Sequence, residues 1–194
     1  MTEGKRNQKQ KGFKVTTVPM PFALGEIQEN ITINTNTFSK PTKEQIINQA
    51  IQYHLKGNIS EATKCYQYCI NQDFNDPNVF LNYGTILQDL GKLKEAELSI
   101  RKSIKIKPDF AEAHSNLGII LNDIGKLQEA ELSIRKAIEI NPNFAKAYYS
   151  LSLILSKSKK YKEALSIIDE CLIHEPNNHL YEGEKKRIEF ILSL

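Results

Sequence analysis

At 194 residues and 22.2 kDa, with 40% apolar and 25% charged side chains, the chain has the composition of a soluble globular protein, and collagen-like, disulfide-dense and wholly disordered classes are excluded. Its net charge of +3 sits at the front: residues 1–41 hold six bases against three acids, and residues 42–194 hold twenty of each. This balance argues against nucleic acid as the main partner of the folded part and leaves only weak contact by the basic tail.

In chain order, the first segment carries Lys5, Arg6, Lys9, Lys11 and Lys14 without an apolar core behind them, so it does not read as a secretory signal. Pro19, Pro21, Gly25 and the Asn/Thr tract from Asn30 to Thr37 lack helical period, and residues 1–41 are expected to be a flexible or loosely docked segment. The longest apolar stretch, Tyr148 to Leu155, is broken by Ser150 and Ser152 and falls far short of the roughly 20 residues that cross a bilayer, so no membrane span is expected. A cytoplasmic address is the default expectation. Cys65, Cys69 and Cys171, an odd number, are expected to be reduced packing thiols, with no second pair at zinc spacing.

From residue 43 a single stride governs the sequence. Residues 77–110 and 111–144 agree at 20 of 34 positions without a gap. The same frame brings residues 43–76 and 145–178 into line, and four copies cover 43–178. Each copy reads as two amphipathic helices around a tight turn; in the third, Leu117, Leu121, Ile124, Leu127, Ala130, Ile134, Ala137 and Ile138 recur at threes and fours. Gly57, Gly91 and Gly125 mark the turn, with Lys159 in their place in the last copy. Pro108, Pro142 and Pro176 follow the second helices. Ahead of the first copy, Thr42 and Gln45 have capping-box spacing.

Small residues recur at two places. Ala62, Ala96, Ala130 and Ala164 mark the second helix, and Ala50, Gly84, Gly118 and Ser152 mark the first, so the pair can approach closely while Tyr53, Leu87, Leu121 and Leu155 fill the adjoining space. Residues 179–194 read as a C-terminal capping helix with a stripe of Tyr181, Ile188 and Leu192, flanked by Leu180 and Ile191.

Period, small pair, turn glycine and closing proline together resemble the tetratricopeptide repeat (TPR) family. The resemblance covers residues 43–178 and implies an all-α, right-handed superhelical solenoid of four helix-turn-helix repeats plus the cap. It also implies that first helices line a concave groove and second helices face outward. Asn48, Asn82 and Asn116, with Ser150 in the fourth copy, then form a column in the groove, and the run Ala111 to Gly118 is similar to the repeats of the protein O-linked N-acetylglucosamine transferases, whose asparagine ladder holds polypeptides. Residues 179–194 leave no room for their catalytic domain, nor for the sulfotransferase or methyltransferase domains that follow similar bacterial arrays.

No chemistry is expected of the chain. Gly91-Lys92 and Gly125-Lys126 have the wrong spacing for a phosphate loop, and His114 stands where neighbouring copies have Phe80 and Tyr148, as a packing residue. Glu129 and Glu131 read as a salt-bridged outer face. No cofactor, metal or small-molecule substrate is implied. A primary amide donates and accepts, so a column of them can pair with an extended backbone whatever its side chains; the competing reading is hydrogen bonding within the array. The groove positions expected to meet a ligand are Asn48, Asn82, Asn116, Ser150, Thr85, Asp89, Glu112, Ile119, Asp123, Lys146, Tyr149 and Lys157, acidic in the first three copies, with Glu44 among them, and basic in the fourth.

The positions at which relatives clamp a chaperone's terminal carboxylate are Ile47, Ile51, Asn82, Glu112 and Asn116, which lack the necessary cations. The expected function is a non-enzymatic scaffold binding an extended protein or peptide. The alternative is a targeting subunit or truncated relative of a transferase acting with a separate catalytic partner.

Overall fold

The computed structural model describes residues 41–194 and, in the preceding segment, a short ladder of β1 (Thr17–Val18) and β2 (Ile31–Thr32). The strands are antiparallel, with Thr17 opposite Thr32 and Val18 opposite Ile31. All four residues except Thr17 and Thr32 are aliphatic, and all are β-branched, the class that fits an extended backbone. Two residues per strand are too few for an alternation to show in sequence, which is why the reading of residues 1–41 contains no strand. The other residues of that expected flexible segment, up to residue 40, lie outside the described ones.

Residues 43–194 form a unit of nine helices among the described residues. The inner series is α1 (Lys43–Leu55), α3 (Pro77–Asp89), α5 (Ala111–Ile124) and α7 (Ala145–Lys157). The outer series is α2 (Ile59–Asn71), α4 (Leu93–Ile106), α6 (Leu127–Ile140) and α8 (Tyr161–His174), and α9 (His179–Leu192) closes the row. Each inner helix packs on the outer helix that follows it, and each outer helix on the next inner one. The inner helices of neighbouring hairpins also touch directly, α3 on α5 and α5 on α7, while α4, α6 and α8 are joined through ion pairs between the ends of long side chains, Arg101 with Glu129 and Arg135 with Glu163. An array drawn together along one series of helices and spaced along the other must curve, with the drawn-in side concave.

The turn residues hold the hairpins shut. Gly57, Gly91 and Gly125 have φ of 74°, 72° and 90°, and Lys159 takes φ 61° at the same place, a left-handed conformation that costs a side-chain-bearing residue about 1–2 kcal/mol. Several helix starts carry side-chain caps that the sequence reading did not single out. Asp76 accepts from the Asn78 amide at 2.8 Å ahead of Pro77, and Asn178 accepts from the Leu180 amide at 3.1 Å.

Close approach within a hairpin follows from the small column. Ala62, Ala96, Ala130 and Ala164 are fully buried. A Cβ added at Gly118 would stand 2.5 Å from Ile134 Cγ1 and 3.0 Å from the Ala130 carbonyl, so no side chain fits there without moving α5 from α6. A second small column ties two of the outer helices, α4 and α8, to the start of their partners. Ser103 Oγ donates to the Pro77 carbonyl at 2.7 Å, and Cys171 Sγ makes the same bond to the Ala145 carbonyl at 3.1 Å, while the equivalent Ala137 cannot. The three thiols are buried and free, and burial pushes Cys65 up to about 11 and Cys69 and Cys171 up to about 12.

On α9 the inward stripe is Tyr181, Glu184 and Ile188. Leu192 and Leu180, read as part of that stripe or beside it, are exposed: Leu180 lies one residue off it, and Leu192 is the last residue of the helix. Glu184 is buried, held by Arg187 through Nε at 2.7 Å and a terminal nitrogen at 2.6 Å, and by the Ser156 hydroxyl at 3.3 Å. This pairing satisfies the carboxylate at the α7–α9 contact.

Candidate functional site: the face of the inner helices

Three residues of the amide column differ in their surroundings. Asn48 is exposed on α1; Asn82 and Asn116 are half-buried on α3 and α5. Asn116 Nδ2 donates to Thr85 Oγ1 at 3.2 Å, across from α5 to α3, and Thr85 in turn donates to the Leu81 carbonyl at 3.1 Å. One amide hydrogen of Asn116 is therefore used inside the array, while its second hydrogen and its carbonyl have no protein partner among the described residues. The buried hydroxyl of Tyr66 lies against the Asn82 amide without completing a hydrogen bond, and burial first of all drives that phenol up to about 12. Ser150 is buried, and its hydroxyl turns back onto its own helix, to the Lys146 carbonyl at 2.9 Å. A serine is too short to reach past the flanking helix surface, so the column presents amides in the first three hairpins and no polar group in the fourth.

Nearly two turns further along the inner helices, a polar chain runs across three hairpins. Gln88 Nε2 donates to Asp123 Oδ2 at 3.0 Å, Asn122 Nδ2 to Asp123 Oδ1 at 3.3 Å, and Lys157 Nζ to Asn122 Oδ1 at 3.2 Å. Asp123 and Lys157 are thus members of one network joining α3, α5 and α7. Sequence reading named these two and missed Gln88 and Asn122, which share the position that holds His54 in the first copy and Ser156 in the fourth. A polar residue at that place in every copy was the available signal.

The remaining residues expected to meet a ligand differ in exposure. Glu112, Lys146 and Asp89 are exposed. Thr85 and Ile119 are half-buried at one position of successive inner helices. The ring of Tyr149 stacks on Tyr181 of the cap at 5.0 Å between centroids, and burial, then the neighbouring Glu184 charge, raises its phenol above the usual value. Tyr149 therefore contributes an edge to the surface while its face belongs to the α7–α9 packing.

On the outer helices the charges repeat with the stride. Glu97 pairs with Arg101 at 2.9 Å and with Lys126, and Arg101 reaches Glu129 of the next hairpin at 3.2 Å; Glu131 repeats this with Arg135 and Lys160, and Arg135 reaches Glu163. The His114 Nε2 lies 2.9 Å from the Pro108 carbonyl. Among the described residues, no group of three His, Cys, Asp or Glu side chains could hold a metal, and no helix is long and apolar enough to cross a membrane.

Three tetratricopeptide-repeat family models match the chain, over residues 77–110, 111–144 and 134–166. No curated protein sequence matches it. Among solved structures, the chain is similar to MamA, with a TM-score of 0.69 at 23% identity over 75% of this chain and 85% of that one. It is similar to YrrB, described as a TPR protein with an unusual peptide-binding site, with a TM-score of 0.67 at 22% identity over 74% of each chain. The first TPR of Spaghetti (RPAP3), bound to the HSP90 peptide SRMEEVD, gives a TM-score of 0.60 at 24% identity over 61% of this chain and 94% of that one. At these identities the likeness is one of fold. Residues 77–166 carry tetratricopeptide repeats, and the stacked hairpins form the all-α superhelix of that family.

Proposed function

We propose that the chain is a non-catalytic scaffold that holds an extended polypeptide against the face of its inner helices. The observation that carries this reading is the placing of Asn82 and Asn116, half-exposed on successive inner helices, each with donor and acceptor capacity left over. Two amides one repeat apart can pair with the N–H and C=O of a strand-like ligand, giving affinity without demanding a particular side chain. The peptide-bound RPAP3 structure and the peptide-binding site ascribed to YrrB support the use of this fold for the purpose.

Charge supplies the polarity. Glu44, Asp89, Glu112 and Asp123 lie on the first three hairpins, and Lys146 and Lys157 on the fourth. A ligand with bases toward α1 and acids toward α7 complements that distribution, and an acidic chain end directed at the first hairpins would meet repulsion. Isothermal titration with a short peptide bearing lysines at one end and aspartates at the other, and with an all-acidic peptide of equal length, tests the reading. The mixed peptide is expected to bind more tightly. Asn82→Ala should weaken it roughly 2- to 10-fold, the worth of one hydrogen bond, while leaving the melting temperature nearly unchanged. Equal binding of both peptides removes the polarity, and a variant that melts instead of losing ligand assigns Asn82 to the framework.

A further inference from the structure

Between outer helices α4 and α6, over the start of α5, lies a furrow of ≈ 430 Å³. Ile104 and Leu132 give it apolar surface, Arg101, Lys105 and Lys136 stand around it together with His114, and no carboxylate is among its lining residues. Leu132 is 69% exposed despite its size. The furrow lies within the size range of ligand sites, about 300–1,000 Å³.

The residues around it are particular to this junction. At the position of His114 the neighbouring hairpins have larger rings: Phe80 is buried beneath Lys102, and Tyr148 stacks on His174 at 5.3 Å. The smaller imidazole lies 2.9 Å from the Pro108 carbonyl and lines the furrow. Charge differs as well. One stride later, Lys105 and Lys136 are replaced by Glu139 and Glu170, so the α6–α8 junction carries acids where this one carries bases. Arg101 is engaged by Glu97 and Glu129, and Lys136 by the exposed Glu139 at 2.7 Å, whereas Lys105 has no ion-pair partner among the described residues.

We propose that this furrow is a second protein-binding site, separate from the face of the inner helices, for an acidic polypeptide segment that lays one apolar side chain over Ile104 and Leu132 while its carboxylates pair with Lys105 and Lys136. The occupant follows from complementarity: Lys105, without an ion-pair partner among the described residues, and Lys136, shared only with the exposed Glu139, favour an anion, and the exposed leucine beside them favours one with an apolar residue between its charges. A soluble inorganic anion would leave that leucine in water.

Fluorescence anisotropy with a labelled peptide of aspartates flanking one phenylalanine provides the test. Saturable binding is expected, weakened at raised salt and at least roughly tenfold weaker in the double variant Lys105→Glu, Lys136→Glu. Replacing the phenylalanine of the peptide by serine should weaken it comparably, and Asn116→Ala should bind as the parent does. Binding indifferent to the charge reversal, or equal binding of a lysine-flanked peptide, overturns the proposal. So does a chain that ignores the peptide but is retained by phosphatidylserine vesicles through the same two lysines. The substituted side chains are exposed, and helicity at 222 nm checks each variant; should the reversal unfold the chain, Lys105→Gln with Lys136→Gln gives the same comparison.

Discussion

Gly118→Ala measures how tightly a hairpin is drawn together. The added methyl would lie 2.5 Å from Ile134 Cγ1 and 2.6 Å from Ile134 Cδ1, closer than real Cβ contacts come, and 3.0 Å from the Ala130 carbonyl, tighter than nearly all of them. Neither obstacle can swing away, since Ile134 is fully buried and Ala130 contributes backbone. Overpacking of this kind costs about 1–3 kcal/mol, and the helix preference for alanine over glycine returns about 0.5–1 kcal/mol. A net loss of up to about 2.5 kcal/mol, centred on about 1 kcal/mol, is expected, and each kcal/mol is a fall of roughly 2–4 °C in melting temperature for a chain of this size. Ile134→Ala removes both clashing carbons, at a cost of about 2–5 kcal/mol by itself. In that background Gly118→Ala should be neutral or stabilising, so the double-mutant cycle should show a favourable coupling of about 1–3 kcal/mol. Urea denaturation followed by circular dichroism at 222 nm gives all four values. A Gly118→Ala protein that gains stability, or loses the same amount in both backgrounds, would refute the reasoning.

Lys159→Gly should stabilise the fourth hairpin by about 0.5–1 kcal/mol, because relief of the left-handed strain exceeds the extra entropy that glycine gives the unfolded chain; thermal melts would check it, and an unchanged or lower melting temperature would count against it. The buried thiols, with pKa pushed up to about 11 and about 12, should resist Ellman's reagent in native protein and all react in guanidinium; fast native labelling would contradict the packing of α2 and α8. Burial pushes the carboxyls of Glu97 and Glu131 up, but Arg101 with Lys126, and Lys160 with Arg135, outweigh it and hold both below the ordinary range. Groups lowered on folding stabilise at neutral pH and lose that contribution as the pH falls through the ordinary carboxylate range and then the folded value. Acid titration of Glu97→Gln with Glu131→Gln should therefore show a flatter decline in stability than the parent, and parallel curves would remove the ladder from the account.

The helical hairpins were legible because their causes are local and repeat. A glycine at the turn, a small residue on each helix and an apolar face at threes and fours all return after 34 residues, so each copy vouches for the others. The pairing of charges on the outer helices was readable for the same reason, from Glu129 and Glu131. What escaped depended on single atoms crossing between hairpins. Asn116 reaches Thr85, Lys157 reaches Asn122, and Gln88 reaches Asp123 through side chains whose direction the stride leaves open. Ser150 shares the asparagine position yet folds back on its helix, because a hydroxyl one bond from Cβ finds the carbonyl four residues earlier before it finds a ligand. In the cap, Glu184 breaks the apolar pattern, so that the stripe reads on to Leu192; its burial depends on Arg187 and Ser156, which no periodicity reveals.

The most direct test of the peptide-holding face is a nitrogen-15 NMR titration with the peptide that carries lysines at one end and aspartates at the other, following the side-chain amide signals of Asn82 and Asn116. Both pairs should shift together and saturably, with backbone changes confined to α1, α3, α5 and α7. Changes restricted to α4, α6 and α8, with both asparagine amides unmoved, would contradict the account.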